Sequence, residues 1–266
     1  MKYREVIEEP YFTEKEFKPI HGFAGAAVIS AGESYSRRRA FFSQCDEVGI
    51  EPALFRGFRW GWDDIEKMGM LEKDDEYTPT KELVQCYEEQ PKFDGHLGHV
   101  GCTASHIKII SEAKRLGLSS IIIFEDDAWF TPNWNELLNA ASKDLHERGW
   151  HMLYLGTCPS RPCDKVTDNI ARCRGAWSTP AYAVNHEFYD RILKRMEHRA
   201  GAIDCFYYHD AHNPDFYYYI STQCLNYQRH PKDADFSLIS GWHRDWEADH
   251  KMIEEHYDEF VRKKGL

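Results

Sequence analysis

Nowhere in the 266 residues is there an apolar run of the roughly 18 residues that a membrane-spanning helix needs. The first nineteen residues, Met1 to Pro19, are charged and hold no stretch like the 7–15-residue apolar core of a secretory signal. No internal repeat and no low-complexity tract is visible, and the composition excludes disorder, collagen and coiled coil as global descriptions. Basic residues are in deficit, with 33 Lys plus Arg against 44 Asp plus Glu and a net charge of −11. A surface this acidic repels nucleic-acid phosphates and anionic lipid unless it concentrates cations locally. The one dense basic cluster, Arg37-Arg38-Arg39, is too small for a nucleic-acid surface, so no nucleic-acid partner is expected. The eight cysteines are spread without a dense framework, and Cys158, Cys163 and Cys173 fit no common zinc spacing. With no secretion signal, reduced thiols and a cytoplasmic location are the expectation.

What is present is an ordinary globular composition, 42% hydrophobic and 29% charged, in a chain long enough for one large α/β domain. Short apolar runs alternate with helix-period runs, which predicts helices layered on a mostly parallel sheet. Ala26–Ile29 reads as a first buried strand, followed by a helix over Tyr35–Val48 capped by Gly49. Ala53–Phe55 is a second strand. The acid-rich segment Arg56–Pro91, with Trp60 and Trp62, reads as an insertion that forms a lid or an excursion over the sheet edge. A one-sided helix is expected from Thr103 to Leu116, stopped by Gly117. The β-branched run Ile121–Phe124 predicts a strand buried on both faces.

Further on, Thr131-Pro132 has the signature of an N-cap followed by proline, opening a helix to about Glu147. Met152–Leu155 and Ala181–Val184 read as strands, and Asn185 as the cap of a helix from His186 to about Arg199. The aromatic runs Phe216–Ile220 and Cys224–Tyr227 read as strands, and Arg244–Lys263 as a terminal amphipathic helix.

Chemistry concentrates at Glu125-Asp126-Asp127, directly after the buried strand. Ligands of open α/β sheets bind outside the carboxyl ends of the strands. Three adjacent carboxylates repel and raise one another's pKa, a cost that a divalent cation removes. Mg²⁺ and Mn²⁺ prefer such oxygen ligands. A solvated acidic turn is the competing reading of the same residues. His99, Cys102 and His106, three and four residues apart, can share a helix face; zinc would require a fourth ligand that the spacing does not identify. Satisfied core histidines are the alternative there. The aromatics Phe206-Tyr207-Tyr208 and Phe216–Tyr219 offer flat surfaces to a ligand, although strand alternation would bury half of them. His209, Asp210 and His212 form a second polar cluster.

The run Gly95-His96-Leu97-Gly98-His99-Val100-Gly101-Cys102-Thr103-Ala104-Ser105-His106 resembles the glycine-containing Gly-x-x-Gly-Cys-x-x-Ser-His signature of glycosyltransferase family 25. That family includes lipooligosaccharide and collagen galactosyltransferases. The strand ending in Glu-Asp-Asp, the Leu155-Gly156 pair, the Ala181-Tyr182-Ala183 strand and the Ile203-Asp204 pair follow in the family's order. Arg37-Arg38 before Phe41, and Gln228 before Ser237-Leu238-Ile239, extend the likeness over roughly residues 26–241. Ser30-Ala31-Gly32 departs from the usual Asn-Leu after the first strand, and the 56–91 segment does not align.

The resemblance implies a GT-A-type, Rossmann-like domain over residues 23–243, with an N-terminal extension over 1–22 and a C-terminal helix over 244–266. It implies an inverting hexosyltransferase with a divalent metal, Mn²⁺ or Mg²⁺, a UDP-sugar donor carrying galactose or glucose, and a glycan or glycoprotein acceptor. By that analogy Asp127, with Glu125, holds the metal. Glu125, Asp126, Ser105, His106 and Arg37 contact the donor, and Asp204 is the base that takes the acceptor proton. A non-catalytic sugar- or nucleotide-binding module and a metal-dependent phosphoesterase are the rival readings.

Overall fold

The structure, a computed structural model, describes residues 17–31, 35–58, 94–159, 162–196 and 202–228. Most of the expected 1–22 extension, the 56–91 insertion beyond Phe58 and the terminal helix lie outside the described residues.

Ten strands and five helices are found among them. In chain order these are β1 (Ala26–Ala31), α1 (Tyr35–Val48), β2 (Ala53–Gly57), α2 (Asp94–Arg115), β3 (Ser120–Glu125), β4 (Ala128–Phe130) and α3 (Trp134–His146). They continue with β5 (Met152–Pro159), β6 (Asp164–Lys165), β7 (Ile170–Arg172), β8 (Ala176–Asn185), α4 (His186–Met196), α5 (Ile203–Asp210), β9 (Tyr218–Ser221) and β10 (Asn226–Gln228). Eight strands form one sheet in the order β2-β1-β3-β8-β5-β9-β7-β6, and β10 and β4 form a second, two-stranded sheet.

The α/β class expected from the sequence is the class observed, but the sheet is mixed in direction where a mostly parallel one is expected. β1 is parallel to β2 and β3, and β5 is parallel to β9. β8 runs antiparallel to both β3 and β5, and β6, β7 and β9 pair antiparallel. The short β6–β7 connection cannot supply the dozen or more residues of a parallel crossover, so a hairpin forms there.

The β-branched composition of β3 does what its pattern predicts. Ile121 and Ile123 join Ala27, Ile29 and Phe55 on one face, covered by Ile107 and Ile110 of α2, Phe188 of α4 and Phe206 of α5. Ile122 and Phe124 join Ala26 and Val28 on the other, covered by Phe41 of α1 and Trp134 and Leu138 of α3. Helix α1 spans the residues expected, burying Ala40, Phe41, Gln44 and Cys45 on one face. It ends where Gly49 adopts a φ of 71°. Asn185 caps α4 as expected, its side-chain Oδ1 accepting from the Glu187 amide at 3.1 Å.

Three local expectations are corrected. Helix α2 begins at Asp94, so the Gly98–His106 motif lies within a helix and not at its start. Helix α3 begins at Trp134 behind Asn133, whose φ is 61°, and not behind Thr131. Thr131 instead donates to the Leu225 carbonyl, joining the segment after β4 to the approach to β10. Phe206-Tyr207-Tyr208 are helical, so a helix face and not strand alternation decides which of them is buried.

Two glycines of the motifs now have a steric reason. A Cβ on Gly101 would lie 2.5 Å from the Phe58 carbonyl oxygen, where α2 meets the residue after β2. A Cβ on Gly156 would lie 2.2 Å from the Asn226 carbonyl oxygen, because β10 crosses β5 there. Gly156→Ala is therefore expected to destabilise the fold by about 3 kcal/mol, an overpacking cost with backbone on the receiving side. The shift of the urea unfolding midpoint measures it, and an unchanged midpoint contradicts the close crossing.

Candidate functional site

The carboxyl ends of β1 and β3 lie side by side, in register Ile29↔Glu125. The first half of antiparallel β8 reaches the same edge, with Ala181 opposite Phe124. From the other sheet, β10 brings Gln228 opposite Ala128. The three acids therefore emerge into a corner with walls from four strands, and they go to three different sets of partners.

Asp126 is buried. Its amide donates to the Ile29 carbonyl at 3.0 Å, its Oδ2 accepts from the Ser30 hydroxyl at 2.7 Å, and its Oδ1 pairs with Arg37 Nη2. Burial raises its pKa, although Arg37 and Ser30 pull the other way. Burial also works against the Arg37 charge, but Asp127, Asp126 and Glu125 outweigh it and hold that guanidinium more firmly protonated than usual. Arg37 is thus the cation that the acidic corner retains. Arg38 is partly covered and Arg39 is exposed on α1.

Glu125 Oε1 accepts from Thr179 Oγ1 at 2.9 Å and stands 3.4 Å from His106 Nε2. Cys102 lies one helical turn before His106 on α2, the shared face that their spacing predicted. The ligating atoms of Cys102, His106 and Glu125 all lie within 4.8 Å of one another, a group able to hold a metal ion. His106 Nδ1 shares a 2.8 Å hydrogen bond with the Tyr182 hydroxyl, which meets the Tyr207 hydroxyl at 3.1 Å. Burial raises the Cys102 thiol well above its ordinary pKa, and the negative charges of Glu125, Asp204 and Asp127 add to this.

Asp127 receives one long hydrogen bond, 3.4 Å, from Gln228 Nε2 to its Oδ2. Its Oδ1 is buried and has no hydrogen bond among the described residues. Burial, and then the charge of Glu125, push its pKa up to about 7 against the opposing pull of Arg37. Gln228 Oε1 in turn accepts from Ser178 Oγ at 2.5 Å, and the Ser178 amide donates to Asp204 Oδ2 at 2.9 Å. Ser178 has a φ of 73°, a strained value for a residue other than glycine. The other oxygen of Asp204 accepts from the Cys205 amide at 2.8 Å. A chain of four residues thus links Asp127 to Asp204 across the corner.

Of the residues singled out in the sequence, Arg37, Glu125, Asp126, Asp127, His106 and Asp204 belong to this connected corner. Ser105 does not join its hydrogen bonds: its hydroxyl donates to the Gly101 carbonyl at 2.7 Å and accepts from the Phe58 amide at 2.9 Å, a buried tie between α2 and the residue after β2. Asp210 is held by Arg191 through two 3.0 Å hydrogen bonds. The His212 ring bonds the Tyr208 carbonyl. Tyr208 lies against Trp177, ring centroids 4.1 Å apart and nearly parallel. The side chain of His99 lies outside what is described. Thr179, Ser178 and Ser30 were not singled out, because a hydroxyl on a strand carries no signal until its neighbour across the sheet is known.

The sequence model of glycosyltransferase family 25, described as an LPS biosynthesis protein family, matches residues 24–201. A mouse protein named inactive glycosyltransferase 25 family member 3 is 33% identical over 82 residues, which are 29% of this chain and 14% of that protein. The human protein of that name is 36% identical over 61 residues, 22% of this chain and 10% of its own length. The chain therefore spans only about a seventh or less of the curated relatives it matches. Among solved structures, an apo UDP-glucose pyrophosphorylase aligns with a TM-score of 0.41 at 7% identity, over 74% of this chain and 89% of that one.

The state of Asp127 has a consequence for stability in the absence of metal. Its folded pKa, about 7, is raised above the ordinary value of about 3.9 for an unfolded chain. The native state then holds this proton over a range where the unfolded state has released it, so stability declines as pH rises from about 4 to about 7. Asp127→Asn is expected to raise the Tm of metal-free protein by several degrees at pH 8 and to leave it almost unchanged at pH 4. Melting curves at the two pH values check this; an equal effect at both would show that the carboxylate is not strained.

Proposed function

We propose that this chain, which belongs to glycosyltransferase family 25, transfers a hexose from a UDP-sugar to a glycan or protein hydroxyl, with inversion at the anomeric carbon. Galactose and glucose are the sugars proposed, and Mn²⁺ or Mg²⁺ the metal. The observation that carries the reading is Asp127 Oδ1, a buried carboxylate oxygen without a hydrogen-bond donor among the described residues, beside Glu125 at the end of β3. Such an oxygen fits a hard divalent cation. Asp127 would be the direct ligand and Glu125 the second carboxylate of the shell; when bound, the ion supplies positive charge against a departing diphosphate.

The chain's own residues divide the remaining work. Arg37, kept charged by the acids and tied to Asp126, supplies a fixed cation on the donor side. Asp126 is fully engaged by Arg37 and Ser30, so it orients that cation and is not itself a metal ligand in this reading. Asp204 is the proposed base for the acceptor hydroxyl proton. Two backbone amides orient its carboxylate, and Ser178 and Gln228 hold it in fixed relation to Asp127.

A non-catalytic binding module on the same fold is the second reading, favoured by the word "inactive" in the names of the mouse and human relatives. One panel separates the two readings. Melting curves with individual UDP-sugars, with and without Mn²⁺, are expected to show stabilisation by one sugar nucleotide that requires the metal. UDP release with acceptor present is expected to fall about 10²–10⁴-fold in Asp204→Asn while donor stabilisation persists. Stabilisation without turnover in the wild-type chain supports the binding module. Rapid UDP-sugar cleavage without any acceptor supports a phosphoesterase, and flat melting curves throughout overturn the proposal.

A further inference from the structure

We propose that Cys102, His106 and Glu125 form a second metal site, for a single transition-metal ion of the zinc class, which shares the Glu125 carboxylate with the oxygen-ligated position at Asp127. The first argument is convergence. Cys102 and His106 are presented by one turn of α2 and Glu125 by the end of β3, with all three ligating atoms within 4.8 Å. Two ligands each about 2.1 Å from a tetrahedral centre stand roughly 3.4 Å apart. His106 Nε2 and Glu125 Oε1 are separated by 3.4 Å.

The second argument is an orphaned donor. His106 is fully buried, and its Nε2 makes no hydrogen bond among the described residues although a carboxylate oxygen faces it. If Nδ1 carries the proton, a nitrogen lone pair confronts Glu125. If Nε2 carries it, the buried N–H meets Glu125 Oε1 at 3.4 Å without hydrogen-bond geometry. A cation between the two atoms removes both costs.

The third is the surrounding shell. Metal-ligating histidines pass their other ring nitrogen to a hydrogen-bond partner, and ligating carboxylates are themselves hydrogen-bonded. Here Tyr182 takes His106 Nδ1 with Tyr207 behind it, and Thr179 donates to Glu125. The donor set, one sulfur, one nitrogen and one oxygen, selects Zn²⁺ and its neighbours over Mg²⁺ or Mn²⁺. As the metal–sulfur bond forms, the Cys102 thiol releases its proton to solvent. Three protein ligands leave a fourth position for water or substrate. The bound cation would also offset the Glu125 charge that bears on Asp127.

Cobalt titration of chelator-treated protein tests this without any assay of turnover. Wild-type protein is expected to develop the sulfur-to-cobalt charge-transfer band in the near ultraviolet, saturating at one equivalent and abolished by Zn²⁺. Cys102→Ser should lose the band, and Asp127→Asn should keep it. Tyr182→Phe, which leaves all three ligands in place, should weaken binding about 10–100-fold. Absence of the band in wild-type protein overturns the proposal whatever the variants do, and so does a band that survives Cys102→Ser. Its fate is separable from the transferase reading: a cobalt–thiolate band alongside flat UDP-sugar melting curves leaves this site standing and removes that function, and the opposite pair of results does the reverse.

Discussion

The corner at the end of β3 depends on the buried ion pair between Asp126 and Arg37. Three consecutive carboxylates would repel one another if they shared one space and one set of partners. Pairing the middle acid with Arg37 and Ser30 ties β3 to β1 and α1. It also leaves Glu125 and Asp127 outside that pair. A pair this deeply buried adds little net stability, because desolvation consumes much of the attraction. Its effect is geometric: it fixes which carboxylate is committed to the fold and which two remain for chemistry.

The rest of the molecule holds that arrangement in place. Both faces of β1 and β3 are packed, with α1 and α3 on one side and α2, α4 and α5 on the other, so the strand ends have little freedom to relax. Antiparallel β8 carries Thr179 to Glu125 and Ser178 to Asp204 from two adjacent positions. The crossing of β10 over Gly156 brings Gln228 to within reach of Asp127. The corner therefore requires chain segments a hundred residues apart to meet, and glycine is needed where backbone presses on backbone.

Much of the fold was legible in the sequence, since burial on both faces leaves an unbroken β-branched run such as Ile121–Phe124 and helix ends leave glycines such as Gly49. The limits have equally physical causes. Helix α2 begins nine residues before the Thr103 expected of it, over Gly95, Gly98 and Gly101, the last of which is needed for the close approach of Phe58. Phe206-Tyr207-Tyr208 were read by strand alternation, yet they form a helix whose aromatic face packs into the core. Aromatic residues suit either element, and packing chooses between them.

By itself the sequence determined the layered α/β class, the acidic triplet at a strand end, and the shared face of Cys102 and His106, because each follows from local periodicity. Only the tertiary structure decided that Asp126 belongs to Arg37, that Glu125 turns toward His106 and Cys102, and that Asp127 retains a buried oxygen without a donor among the described residues. The reason is that chain order places charges next to one another, whereas the partner each receives is set by strand register and helix docking, which no local pattern encodes.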